Sequence, residues 1–305
     1  MNDIQDDGFV LKDFSFFILY KVIKFLFLLL PRPIAKLICD SIAWLAYRIN
    51  RKHRKIAFAN LDLVYGDTIT LERKIEIVKN SYKNSVYSLY EFIDNQDLDL
   101  AGFEKKIKIV NEHVMLDALA SKRSIILITA HYGNWEFGNT YIPLKYGPTT
   151  MVGRPMNNKY LNKELDATRT RNNTQMLTKR DASRGLVKAL KDGRILGLVI
   201  DQHYRNGIEV EFLGQKVKQT DSTSRLAIKF DALIVPLFFV MEDFGQYKAV
   251  FYEPIDYRNF KCEEDINALT QAQADVMTKH ITSLPDQWLW QHKRFKKFHK
   301  KIYKF

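Results

Sequence analysis

A histidine and a carboxylate five positions apart, His131 and Glu136, stand in the run His131-Tyr132-Gly133-Asn134-Trp135-Glu136, directly after the apolar stretch Ser124 to Ala130. An imidazole with one ring nitrogen held by a carboxylate can use the other to take a proton from a hydroxyl, the base-and-orienter part of a triad without its nucleophile. On a single α-helix an offset of five sets two side chains about 140° apart, so the pair meets only if His131 belongs to a turn and Glu136 to the helix that follows. That placement brings the positive helix end and its free N–H groups close to His131, which disfavours a resting imidazolium and helps a developing oxyanion. The same two residue types at this spacing also arise without function; the position at a strand end is what points to chemistry. No second histidine lies at a usual ligand spacing from His131, so a His-based metal site is not expected.

The elements that must position this pair read as α/β. Ser124 to Ala130 is short, β-branched and bounded by polar residues, as a strand covered on both faces is. Further runs of this kind are Ile107 to Val110, Thr149 to Val152, Ile195 to Ile200, Leu233 to Met241 and Tyr247 to Tyr252. Helical spacing covers Thr70 to Asp94 and Val114 to Leu119, and recurs around Asn158 to Arg171, Ser183 to Lys191, Thr223 to Phe230 and Asp265 to Leu284. Strand and helix alternate, which predicts a mixed, largely parallel sheet flanked by helices, with ligands at the carboxyl ends of the strands.

Ahead of this lies a different kind of segment. Phe14 to Leu30 is apolar except for Ser15, Tyr20, Lys21 and Lys24, a little short of the roughly 20 residues that span a bilayer. It fits a helix lying in, or dipping into, a membrane interface with Lys21 and Lys24 reaching toward phosphates. Ile34 to Ile49 contains Trp44 and Tyr47 and runs into Arg48, Arg51, Lys52, Arg54 and Lys55, an aromatic and basic margin of the kind found beside anionic leaflets. The competing reading is two ordinary core helices. Asp3, Asp6, Asp7 and Asp13 precede the apolar run and no small-residue cleavage site follows it, so the segment is expected to be retained. The expected division is residues 1–50 as a membrane-anchoring helical segment and 51–305 as a catalytic domain.

The formal net charge is +12 over 305 residues, which favours polyanionic partners without choosing among them. The apolar N-terminal segment tilts the choice to anionic lipid and away from nucleic acid. Cys39 and Cys262 are too few for a disulfide framework or a Cys-based zinc site.

The chain resembles the late acyltransferases of lipid A biosynthesis, the lauroyl- and myristoyl-transferase type. The likeness is carried in order by Arg54 to Gly66 (RKIAFANLDLVYG), by His131 to Glu136 as the H-x-x-x-x-E motif, and by Gly153-Arg154-Pro155 after a strand. Asp201-Gln202, then Phe212-Leu213-Gly214 with Thr220 and Ser224 to Ala227, and finally Pro285 to Lys296 (PDQWLWQHKRFK) continue it. Two positions depart from the pattern: Leu213 stands where many members carry a second Phe, and Trp288 where Tyr is common. Both put acyl-chain preference in doubt more than the reaction.

The resemblance implies that His131 is general base on an acceptor hydroxyl and Glu136 its orienting carboxylate. Arg154 would meet a phosphate or the carrier's phosphopantetheine, or steady the oxyanion, and Asp201 would hold Arg154 or the acceptor; each has an ordinary structural alternative. His203 and His292 read as packing or surface histidines, and Trp288, Trp290 and Phe295 as core. Lys293, Arg294, Lys296, Lys297 and Lys300 read as a solvated face that also fits an anionic membrane or carrier. Acyl-acyl carrier protein is the implied donor, and the 3-hydroxyl of a hydroxyacyl chain on a Kdo-bearing, phosphorylated lipid A precursor the implied acceptor. No cofactor is needed, because a thioester is already activated. The implied place is the cytoplasmic face of a Gram-negative inner membrane. Acylation of a phosphatidylinositol mannoside or a glycerophospholipid is the alternative reaction, and a non-catalytic basic membrane-surface or nucleic-acid-binding protein the alternative of a different class.

Overall fold

The computed structural model describes residues 10–260 and 265–305; Asp3, Asp6, Asp7 and Cys262 lie outside the described residues. Four helices come first: α1 (Leu11–Leu29), α2 (Arg32–Ile49), α3 (Arg51–Tyr65) and α4 (Leu71–Asp94). The α/β body follows as α5 (Leu100–Glu104), β1 (Ile107–Val110), α6 (Glu112–Ala120), β2 (Ser124–Thr129), α7 (Phe137–Tyr146), β3 (Thr149–Val152), α8 (Lys159–Thr170), β4 (Thr174–Leu177), α9 (Ala182–Lys191) and β5 (Ile195–Val199). The hairpin β6 (Ile208–Phe212) and β7 (Gln215–Gln219) leads to α10 (Ser222–Lys229), β8 (Ala232–Asp243), β9 (Gln246–Phe251) and α11 (Ile266–Ser283).

Seven strands form one sheet in the order β1-β9-β8-β2-β5-β3-β4. From β8 to β4 every pairing is parallel, and the sheet becomes mixed only where β9 turns back antiparallel on β8. This is the expected fold class. The central strand β2 alternates between two cores: Ile126 and Ile128 pack on one face with Leu196 and Ile234, and Ile125 and Leu127 on the other with Phe137 and Val235. Burial on both faces is why its sequence reads as an unbroken apolar run.

Three strands carried no strand signal. β4 is four residues with only its ends buried. In β6 apolar residues alternate with glutamates, and in β7 Val217 alone stands between two lysines; Glu209 pairs with Lys218 and Glu211 with Lys216 across the ladder. The turn between them, Leu213-Gly214, has φ of 52° and 70° at its two residues, the left-handed pair that a two-residue hairpin demands.

The N-terminal helices are held unequally. α2 buries Ala35, Cys39 and Ala43 at helical spacing, with Ala35 and Cys39 against Tyr87 and Tyr90 of α4. α1 buries no residue. Lys21 and Lys24 do not point outward to phosphates as expected: Lys21 Nζ lies 2.8 Å from Glu164 of α8 and Lys24 Nζ 3.0 Å from it. What α1 and α2 expose is apolar: Phe16, Leu19, Phe25, Leu26, Leu37 and Trp44 are each more than half exposed. Among the described residues, no helix is long and apolar enough to cross a membrane.

Candidate active site

The site begins with register. β2 and β5 are parallel neighbours with Thr129 opposite Val199, and the Ile200 N–H still donates to Thr129 O at 3.1 Å beyond the ladder. Two residues further along each chain, His131 and Asp201 come side by side at the carboxyl edge of the sheet. The imidazole Nδ1 is 2.7 Å from Asp201 Oδ1. The His131 backbone N–H donates to Asp201 Oδ2 at 2.9 Å, and the Trp288 indole donates to that oxygen at 2.8 Å. Asp201 is almost fully buried, whereas about a fifth of the His131 side chain stays open (19%).

Burial works to raise the Asp201 pKa, but His131 and these donors outweigh it and hold the carboxyl down at about 2. Burial likewise works against the imidazolium, yet Asp201, with help from Glu136, pushes the His131 pKa above its ordinary value. The shift is opposite to the expectation that the following helix disfavours a charged imidazole: the hydrogen-bonded Asp201 carboxylate and the Glu136 charge favour the imidazolium. An Nδ1–H donating to Asp201 leaves the lone pair on Nε2, where the exposed Gln202 amide nitrogen sits at 3.1 Å.

Glu136 does not take the orienting place expected of it. It stands at the N-cap of α7 and is gripped by Arg169 of α8, whose Nε donates at 3.0 Å and whose Nη2 reaches the other oxygen; Asn139 Nδ2 adds a third bond at 2.9 Å. Among the described residues no hydrogen bond joins Glu136 to His131, although its charge is felt there. Arg154 follows β3 at the same edge of the sheet and is exposed, with no hydrogen bond or ion pair among the described residues. Asp201 therefore holds His131, not Arg154.

The loop between His131 and Glu136 is clamped on three sides. Gly133, at φ 53°, donates its N–H to Gln287 O at 3.2 Å, and its carbonyl accepts from Asn84 and Ser88 of α4 at 3.0 and 3.1 Å. The Asn134 N–H donates to Phe239 O on β8 at 3.1 Å, and the Leu289 N–H to His131 O at 3.0 Å. The C-terminal segment thus forms a strap across the site, with Trp288, Trp290 and Phe295 buried as expected. Arg294 was expected on a basic outer face and is instead fully buried, donating to Gln202 O at 2.7 Å, Lys218 O at 2.8 Å and Gln219 Oε1 at 2.9 Å. Burial brings its pKa down to about 10. His292 accepts from the His203 N–H at 3.2 Å and is held neutral by burial, its pKa down to about 4.

Sequence reasoning missed two residues here. Trp135 packs edge-on to the His131 ring, with centroids 5.1 Å apart, and its place inside the motif was the available signal. Arg169 lies 33 positions from Glu136 with no spacing to mark it.

A carboxylate-held imidazole at a parallel-sheet edge, its Nε2 met by an exposed amide, has the geometry to take a proton from a hydroxyl, which fits acyl transfer. Comparison with known proteins identifies the class: the chain belongs to the bacterial lipid A biosynthesis acyltransferase family, whose model matches residues 9–297. It is 27% identical to the lipid A biosynthesis lauroyltransferase of Escherichia coli (strain K12), over 88% of this chain and 87% of that one. To the lipid A biosynthesis palmitoleoyltransferase of the same strain it is 25% identical, over 90% and 89% of the two chains. The phosphatidylinositol mannoside acyltransferase of Mycolicibacterium smegmatis is 24% identical, over 63% of each chain.

Proposed function

We propose that this acyltransferase moves a fatty acyl chain from acyl-acyl carrier protein to the hydroxyl of a hydroxyacyl chain on a Kdo-bearing lipid A precursor, at the cytoplasmic face of an inner membrane. The acceptor hydroxyl displaces the Gln202 amide from Nε2 of His131. As its oxygen attacks the thioester carbon, the proton passes to Nε2, with Asp201 stabilising the imidazolium. Collapse of the tetrahedral intermediate breaks the C–S bond, and the same proton goes to the departing thiolate, giving an ester and a free carrier thiol. Arg154, exposed at the same edge and without a partner among the described residues, is the group offered to a phosphate of acceptor or carrier. The exposed apolar faces of α1 and α2, beside Arg48, Arg51 and Lys52, suit seating on an anionic leaflet.

The observation that carries this reading is the Asp201–His131 pair with Nε2 directed to an exposed amide, in a chain whose relatives matched over most of their length are named as transferases of lipid A biosynthesis. The test incubates the pure protein with acyl carrier proteins of several chain lengths and with three acceptors: lipid A precursor, phosphatidylinositol mannoside and lysophospholipid. One acyl increment on the lipid A precursor, absent in His131→Ala, is the expected product. Acylation of the mannoside or the lysophospholipid alone would replace the proposed acceptor.

A further inference from the structure

α8 is a 12-residue helix with one buried side chain, Thr168, so apolar packing does little to fix where it lies. Polar and aromatic contacts along its length do more. At its start, Asn158 Nδ2 donates to Asp13 O at 2.8 Å, and Tyr160 packs edge-on to Phe14 with centroids 5.4 Å apart. In the middle, Glu164 takes Lys21 at 2.8 Å on both oxygens and Lys24 at 3.0 Å. Beyond its end, Arg171 donates to Gln96 O at 2.8 Å, and the Gln96 side chain meets Tyr20 and Lys24. Asp13, Phe14, Tyr20, Lys21 and Lys24 all belong to α1.

The last turn of α8 carries Arg169, which grips Glu136. α1 and the catalytic turn are thus joined through one lightly packed helix. We propose that Glu164 is a positioning residue of the acyl-transfer site: by drawing Lys21 and Lys24 of α1 onto α8, it keeps Arg169 against Glu136. The proposal rests on the reading of His131 as the base. Were α8 to drift, Glu136 would lose the guanidinium that neutralises it, and its bare charge would draw a proton onto His131 and remove the base. An ion pair that only held two helices together would change stability without changing His131.

Among the described residues, the charged or titratable groups facing His131 are Asp201 at the end of β5, Glu136 on the turn and His292 on the C-terminal strap, and of these only Glu136 lies on the route through α8. The experiment uses the full chain in mixed micelles, as wild type, as Glu164→Gln, and as the inverted set Lys21→Glu, Lys24→Glu, Glu164→Lys. Glu164→Gln should lower kcat about tenfold with KM nearly unchanged, speed deuterium exchange over residues 159–170, and move the His131 titration, followed by NMR of its ring carbons, to higher pH. The inverted set should recover most of kcat and return the titration toward wild type. A folded Glu164→Gln protein with wild-type kcat and an unmoved His131 titration overturns the proposal, as does an inverted set that recovers neither. Exchange and titration need no substrate, so if the wild type transfers no acyl group, the proposed reaction falls while these two measurements still decide the clamp.

Discussion

Holding Nδ1 of His131 with Asp201 does two things at once: it places the lone pair on Nε2, and it raises the affinity of the ring for a proton. A base must be neutral to act, so the rate should climb as His131 loses its proton, at a pH above its ordinary 6.5 because the pKa is raised. Asp201→Asn removes the main cause of that rise and leaves burial, which lowers the pKa, opposed only by the Glu136 charge. The acid limb of kcat/KM should therefore move down in pH, while the plateau falls by about 10² to 10⁴-fold as the imidazole loses its orientation. A pH–rate profile of the variant checks both, and an acid limb left in place would mean that Asp201 does not govern the base. Glu136→Gln removes a more distant charge without breaking the Nδ1 bond, so its limb should shift in the same direction by less. His131 was legible as a candidate from its type and strand-end place, and the structure puts it at that edge paired with a carboxylate. Its partner was not, because a motif written along one segment offers only the carboxylate nearest in sequence.

The catalytic turn is an element whose shape depends on one residue without a side chain. A Cβ on Gly133 would stand 1.6 Å from Phe239 O, and the residue is at φ 53°, so both space and backbone exclude other residues. Gly133→Ala should push the turn off β8 and disturb its bonds with α4 and the strap, at a cost of at least ~1–3 kcal/mol in strain alone. Thermal unfolding should show a drop of several degrees, and the folded fraction should transfer acyl groups poorly because His131 has moved relative to Asp201. A variant with wild-type melting and activity would show that the turn tolerates displacement. Most of the elements were legible from periodicity, since β2, β5, β8 and β9 are apolar runs and α4, α8 and α11 keep helical spacing. β4 and the β6–β7 hairpin escaped: four residues with only the ends buried, and strands whose apolar positions alternate with charges, carry little hydrophobic signal.

At the scale of the molecule, a chain of net charge +12 presents apolar side chains on the outer faces of its first two helices, an arrangement suited to an anionic lipid surface. The apolar and electrostatic parts of such binding separate by salt, since screening weakens the second and not the first. Phe16→Ser, Leu19→Ser and Phe25→Ser together should lower partition onto vesicles containing phosphatidylglycerol at least tenfold at any salt, each lost burial being worth about 1.5–3 kcal/mol when complete. Vesicle flotation across a salt series measures this. Unchanged partition of the triple variant would place the lipid contact elsewhere, on the basic surface alone.

The sequence by itself determined what depends on neighbours along the chain: the periodic helices and the apolar strands, that the sheet is largely parallel, and that a histidine follows its central strand. Tertiary structure decided what depends on strands and helices far apart in sequence. Parallel register between β2 and β5 chose Asp201 over Glu136 as the partner of His131. The approach of α8 turned Lys21 and Lys24 inward onto Glu164 and gave Glu136 to Arg169. Folding of the strap over Gln202 buried Arg294, in the middle of a run whose lysines read as surface. In each case a charged side chain found its counterion or carbonyl across a gap in sequence that no local spacing encodes. Burial makes such a group take whatever partner the packed elements bring within hydrogen-bond reach.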